Sequence, residues 1–473
     1  MARKIKKEVI NTLEIESIGF NGVSIARKDE KVHFVKGGVP GDKVSALQIR
    51  KKKSYTESLL LEILEPSENR IEPKCKYFGT CGGCSWQNMP YQYQLDWKKK
   101  HVEDAFFRQN HFDKFEVNPT MGSPKQFNYR NKMEFSFGNS RWLTKQEISS
   151  EDDNINRKFA FGMHIPGRFD KILDLEFCHI SDPLNEFILN TSRDLALEYN
   201  ISGYDRKHNT GFLRNFIIRS GSDGAELLAI IITNNIETED QKIFIEKLSE
   251  ALSTQDKISG FIHAINSTKS PVRIESSNQK FGRDHIFQEI LDINFRISPF
   301  SFFQTNSFQL NNFIGKILEI SSLKADEIVW DLYCGTGSIS LPASKHCKKI
   351  IGFELVESSI NDAKVNADLN SISNTEFHVA DLHEAEIPKL LGTIDQPDKV
   401  IVDPPRAGMH KNLIEHLLNI KPKQIIYVSC NPMTQARDCE LMKECYDIKY
   451  AQPVDMFPHT YHIENIVLME LKS

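Results

Sequence analysis

The stretch "EIVWDLYCGTGSISLPASKH", residues 327–346, reads as strand, glycine turn and helix in direct succession. Its opening residues are β-branched and aromatic, and the strand ends at Asp331. Gly335 and Gly337 let the backbone turn tightly and come close to a ligand, because glycine has no Cβ to clash at positive φ. The next strand, "KKIIGFEL", carries Glu354 near its end, 23 residues after Asp331. Two further apolar runs, "DKVIVDPPR" and "KQIIYVSCNP", each finish in polar residues. Strands alternating with helices of this length predict a doubly wound α/β sheet over residues 301–473. Such sheets keep their chemistry at the carboxyl ends of the strands.

A carboxylate at the distance of Glu354 is placed to accept hydrogen bonds from ribose hydroxyls. Asp381, in "VADLHE" at the third strand, is placed to meet an adenine amino group. The glycine pattern is G-T-G-S rather than G-x-G-x-x-G, which disfavours a dinucleotide and with it a nicotinamide dehydrogenase. A nucleoside cofactor without a pyrophosphate fits, and S-adenosylmethionine is one. In "IVDPPRAGMH" two prolines fix an extended backbone and hold Asp403 and Arg406 in defined directions. Amine methyltransferases often place an aromatic residue where Arg406 stands, so nitrogen methylation is disfavoured. "IIYVSCNPMT", residues 425–434, sets the thiol of Cys430 where a buried strand gives way to a loop. Taken alone, such a cysteine is more readily a small core residue than a nucleophile.

The chain has 473 residues, 40% hydrophobic and 26% charged, enough for roughly three globular domains. The N-terminus "MARKIKKEVINTLEIES" lacks the apolar stretch of a signal peptide, and the longest apolar run is far too short for a bilayer. Nine cysteines, an odd number, argue against a disulfide framework. These features predict a cytoplasmic protein without a membrane partner. No obligate protein partner is evident. The net charge is −5, yet residues 1–70 carry 14 Lys/Arg against 10 Asp/Glu, densest at "RKKK" (residues 50–53). A basic module on a neutral enzyme would collect a polyanion. Within it, residues 8–66 read as five short strands separated by glycine turns, hence a small closed barrel. Residues 91–300 mix helical and strand patterns, and "EISSEDDNINRK" (residues 147–158) reads as an exposed loop.

"CKYFGTCGGC" sets Cys75, Cys81 and Cys84 within ten residues, with glycines that allow the backbone to wrap a compact centre. A tetrahedral zinc or a cubane needs a fourth thiolate, and spacing alone does not separate the two.

"FSFFQTN", "DLYCGTG", "GFE", "DPPRAG", "VSCNP" and "HIEN" occur in that order. Together they resemble the RNA uracil-5-methyltransferase family that modifies bacterial ribosomal and transfer RNA, over nearly the whole chain. The resemblance implies a Rossmann-like class I methyltransferase domain at 301–473, with seven strands and one reversed near the C-terminus. It implies an α+β central domain at 71–300 that bears the cysteines and an RNA-facing surface, and an OB-like β-barrel at 1–70 similar to the TRAM module. By the same resemblance Gln304, Tyr333, Glu354, Asp381 and Asp403 line the S-adenosylmethionine site, while Ser338 stands where some relatives have asparagine. Cys430 matches the family nucleophile and Glu464 the general base, and Arg130 to Lys132 match a segment facing the RNA. Cys178 in "LEFCHI" matches the fourth cysteine, which implies a [4Fe–4S] cluster, with zinc as the alternative. The barrel and cysteines resemble the branch acting on large-subunit ribosomal RNA, with transfer RNA as the alternative.

The chemistry gives those roles a reason. Carbon 5 of uracil takes a methyl group only after a thiolate adds to carbon 6, and a base must then remove the carbon 5 proton so that the thiolate can leave. One cysteine, one carboxylate and one methyl donor are required. A free thiol is only a few per cent thiolate at neutral pH, so some activation is expected. A non-catalytic iron–sulfur RNA-binding protein is the rival reading, and intact Cys430 and Glu464 count against it. His459 and His462 form an H-x-x-H that, without other ligands, is poor support for a metal.

Overall fold

In the computed structural model, which describes residues 8–110, 112–113, 115–150, 155–270, 273–384 and 387–473, the stretch 327–346 supplies an interior strand of a seven-stranded sheet. That strand, Ile328–Leu332, pairs in parallel with Lys349–Glu354 on one side and Lys399–Val402 on the other. Thr375–Val379 extends the first side and Gln424–Ser429 the second, again in parallel. The strand Glu464–Leu471 then runs antiparallel between Gln424–Ser429 and Tyr446–Val454, so one strand near the C-terminus is reversed. Val329, Trp330, Leu332, Ile350, Ile351 and Phe353 are all fully buried. Their continuous apolar character is what a parallel sheet covered on both faces requires. Helices Ser307–Ser321 and Glu357–Leu369 pack one face through Leu310, Phe313, Ile317 and Ile360. The other face takes helices Lys411–Ile420, Pro432–Met442 and, from far upstream, Tyr91–Glu103, through Leu413, Ala436 and Val102.

The five N-terminal strands close into a barrel, with Leu13, Ile15, Ala26, Val35, Val44 and Ala46 inside. Ile18 and Val39 at its base bury against Trp86, Met89 and Trp97. Gly22, at φ 75°, lies so close to the Tyr461 ring that a Cβ would stand 2.5 Å from it. Only glycine meets both demands. An eight-stranded sheet lies between the barrel and the seven-stranded sheet in sequence. Its strand Leu227–Thr233 is buried along its full length, which explains the longest apolar run. The exposed loop expected at 147–158 is partly helical instead: Lys145–Ser149 forms a short helix, with Glu147 paired to Arg141. That ion pair and the Thr144 hydroxyl hold the turn, an influence outside the local pattern. Residues 151–154 of the expected loop lie outside the described residues. Among the described residues, no helix is long and apolar enough to cross a membrane.

Candidate active site

The parallel strands all end on one edge of the sheet, and the polar residues singled out above gather there. Tyr333, at φ 69°, starts the glycine turn, and the amides of Tyr333 and Cys334 donate to the Phe353 carbonyl at 2.9 and 3.0 Å. Gly335 and Gly337 follow at φ 54° and 81°, so the left-handed backbone is met by glycine where it recurs. The turn folds onto Glu354, whose two oxygens accept from the amides of Gly335 (3.2 Å) and Val356 (2.9 Å). Each oxygen keeps a further lone pair for a ligand. Asp381 accepts from the His383 amide at 2.9 Å. Burial pushes the Tyr333 phenol up, and the nearby charges of Asp438, Asp381 and Glu354 push it further. These residues therefore share one neighbourhood.

Asp331 is completely buried and accepts from the Ser340 hydroxyl at 2.5 Å, while its other oxygen has no partner among the described residues. Burial raises its pKa to about 7, with Glu354 adding repulsion. Sequence reasoning used Asp331 only as a strand end. A buried aspartate just before a glycine turn was the signal available.

Cys430 directly follows the strand Gln424–Ser429, whose Ser429 pairs with Asn465 of the reversed strand. One step further along this antiparallel register, Cys430 comes opposite Glu464, the first residue of that strand. Asp403 follows the adjacent strand, and its amide donates to the Leu332 carbonyl at 3.2 Å. Burial pushes the Cys430 thiol up to about 11, and the negative charges of Glu464 and Asp403 act in the same direction. Glu464, 5% exposed, is held well above the ordinary carboxylate range by burial and then by Asp403. Asp403 itself is raised to about 7 by burial and by Asp331. The Arg406 guanidinium opposes the shifts at both Cys430 and Glu464. Its backbone is pinned, since its carbonyl accepts from Asn431 Nδ2 at 3.0 Å and the Thr434 hydroxyl at 3.1 Å. Asn431 also caps the helix that follows, accepting from the Met433 amide at 3.2 Å, with Pro432 in the first turn. Arg406 Nη2 lies 3.3 Å from His462 Nδ1. His462 is kept neutral, near pKa 4, by burial and by Arg406.

Gln304 is tied to the segment of Arg130 to Lys132 through its backbone. Its carbonyl accepts from Asn131 Nδ2 at 2.8 Å, and the Asn131 amide donates to the Thr305 carbonyl at 2.9 Å. The segment around Arg130 to Lys132 is thereby stitched to the loop carrying Gln304.

Cys75, Cys81, Cys84 and Cys178 line one pocket, together with Tyr77, Met133, Met163, Leu175 and Phe177. Burial pushes the thiols of Cys81 and Cys84 up to about 11 and about 12. Among the described residues, no three or more His, Cys, Asp or Glu side chains converge tightly enough to hold a single metal ion. His459 and His462 do not converge either: the first stacks on Phe127 and the second faces Arg406.

Residues 224–472 match the family model described as tRNA (Uracil-5-)-methyltransferase. An uncharacterized RNA methyltransferase of Bacteroides thetaiotaomicron is 41% identical over 95% of this chain and 99% of its own length. Another from Chlorobaculum tepidum is 38% identical over 91% of this chain and 89% of its own. Among solved structures, the Pyrococcus abyssi tRNA (uracil-54, C5)-methyltransferase in complex with S-adenosyl-L-homocysteine superposes with a TM-score of 0.74 at 26% identity, over 97% of this chain and 100% of the other. A sheet whose carboxyl edge gathers a glycine turn, a thiol and buried carboxylates, matched along nearly its full length by RNA methyltransferases, belongs to the tRNA (uracil-5-)-methyltransferase family.

Proposed function

We propose that the chain transfers a methyl group from S-adenosylmethionine to carbon 5 of one uridine in RNA, through a covalent adduct on Cys430. The observation that carries this reading is the strand register that sets Cys430 across from Glu464, with Asp403 and Arg406 beside them. Cys430 loses its proton to water, and the thiolate adds to carbon 6 of the uracil. The resulting enolate attacks the sulfonium methyl at carbon 5, releasing S-adenosylhomocysteine. Glu464 then takes the carbon 5 proton and the carbon 6–sulfur bond breaks, restoring the thiol side. Arg406 supplies the positive charge that favours both the thiolate and the ionised glutamate. Gln304, Tyr333, Glu354, Asp381 and Asp403 hold the cofactor, on a sheet of class I methyltransferase type.

Glu464→Gln keeps the shape of the side chain but cannot take the proton. A methylated RNA adduct on Cys430 should accumulate, survive denaturing electrophoresis and require S-adenosylmethionine. Cys430→Ala should abolish it while leaving cofactor binding intact. Normal turnover by Glu464→Gln without a trapped species would assign the base to another residue.

For the substrate, the barrel over residues 1–70, of TRAM type, and the cysteine pocket in the 71–300 region favour large-subunit ribosomal RNA. Transfer RNA is the second reading, favoured by the substrate named for the Pyrococcus abyssi relative. Mapping 5-methyluridine in both RNAs from cells with and without the gene decides between them.

The four cysteines suit a [4Fe–4S] cluster, because they share one pocket with a largely apolar wall and none of them is in a disulfide. Protein purified without oxygen should contain iron and acid-labile sulfide, both lost in Cys84→Ser. Stoichiometric zinc without sulfide would favour the alternative ion.

A further inference from the structure

Residues 455–463 form the hairpin loop that joins the last two strands and delivers Glu464, and Val454 pairs with Glu464 where the loop closes. No amide or side-chain hydrogen bond fixes the Glu464 carboxylate among the described residues, and only burial and neighbouring charge act on it. Its direction therefore depends on the backbone that leads into it. At the apex of the loop stands His459, a non-glycine residue at φ 65°, a strained conformation that persists only where the surroundings over-determine it.

Those surroundings are specific. The His459 carbonyl accepts from the amides of both Ser85 and Trp86, at 2.9 and 3.0 Å, directly after Cys84. Its own amide donates to Gln94 Oε1 at 3.0 Å, and its ring stacks on Phe127 at 4.3 Å. Ring and backbone are thus clamped by the cysteine loop, by a buried helix residue and by the segment that leads to Arg130. A hairpin loop on the surface would be free to move. This one is tied to three elements more than 300 residues away in sequence.

We infer that His459 is a positioning residue: its left-handed backbone, locked by the Ser85, Trp86 and Gln94 contacts, aims Glu464 at the carbon 5 proton and so sets the rate of the elimination step. This rests on the reading of Glu464 as the base. It assigns the loop a role in proton removal and none in methyl transfer.

The test uses the full-length enzyme with substrate RNA. His459→Val places a β-branched side chain where φ is positive, and His459→Ala does so more mildly. Both should lower kcat at least tenfold and change KM for RNA less than threefold. In both, the S-adenosylmethionine-dependent methylated adduct on Cys430 should rise at least fivefold over wild type. His459→Asn, which tolerates the left-handed region, should restore turnover to within about threefold. A role confined to stability would lower activity without accumulating the adduct, and that result overturns the inference, as does wild-type turnover by His459→Val. Glu464→Gln run in parallel separates the two readings. If it traps no adduct, the base assignment fails; if it traps one and the His459 variants do not, only the positioning role fails.

Discussion

At the residue scale the decisive number is the height of the Cys430 pKa. At about 11, only about one part in ten thousand of the thiol is ionised at pH 7 before substrate arrives. Burial and two carboxylates hold it there, and Arg406 is the opposing charge. Because the thiol is raised, its reactive thiolate grows as pH rises and has not plateaued near neutrality; the raised Glu464 shifts in the same direction. kcat/KM, which reports the free enzyme, should therefore climb steadily through pH 9.5. A thiol with an ordinary pKa of about 8.5 would make the profile level off there, and such a plateau would show that the site does not hold the thiol up. Arg406→Gln removes the opposing charge and should lower kcat/KM across this range, by about tenfold for each unit the thiol rises. Cys430 itself was visible in the sequence from "IIYVSCNP", but its reading as a nucleophile came from the resemblance of the motif set. The role of Arg406 was not legible, because its target His462 lies 56 residues away and no local period connects them.

At the scale of elements, local pattern carried far. "VINTLEIESI" and "KMEFSFG", which alternate in polarity, form the strands Val9–Ile18 and Lys132–Gly138. "YQYQLDWKKKHVEDAFFRQ" is helical throughout, although its last turn widens into a π-helix at Asp104–Gln109. The hairpin loop at 455–463 resisted such reading, because its order comes from distant partners. Lys98 and Asp455 form an ion pair at 2.5 Å with both side chains fully buried, and Tyr91 donates to the same carboxylate at 2.8 Å. Burial lowers the Lys98 pKa, so the lysine relies on Asp455 to stay charged. Asp455→Asn strands that charge and should cost about 3–5 kcal/mol in denaturant unfolding. Replacing the lysine as well, in Lys98→Met with Asp455→Asn, should recover much of the loss. A single variant within 1 kcal/mol of wild type, at the level of ordinary surface changes, would mean that water reaches the pair.

At the scale of the whole molecule, the question is what the basic barrel contributes. Its lower end is part of the fold, since Ile18 and Val39 bury against Trp86 and Trp97, and His101 contacts the Ile18 carbonyl. Removing residues 1–70 would expose that surface, so a surface substitution is the cleaner probe. Arg50, Lys51, Lys52 and Lys53 are exposed, and among the described residues only Arg50 of the four has a close acidic partner, Glu57 at 3.2 Å, with Glu8 a loose 4.0 Å from Lys51. If this edge meets the RNA backbone, each phosphate contact releases a counterion and adds about 0.7 to the slope of log affinity against log salt for a single strand. Replacing all four by glutamine should flatten that slope by up to about 3. S-adenosylmethionine affinity should stay unchanged, because the cofactor residues lie on the far sheet. The adduct trapped by Glu464→Gln should still form at saturating RNA, since the chemistry does not pass through the barrel. An unchanged slope would move the polyanion track to the segment around Arg130 to Lys132, which is joined directly to the Gln304 loop.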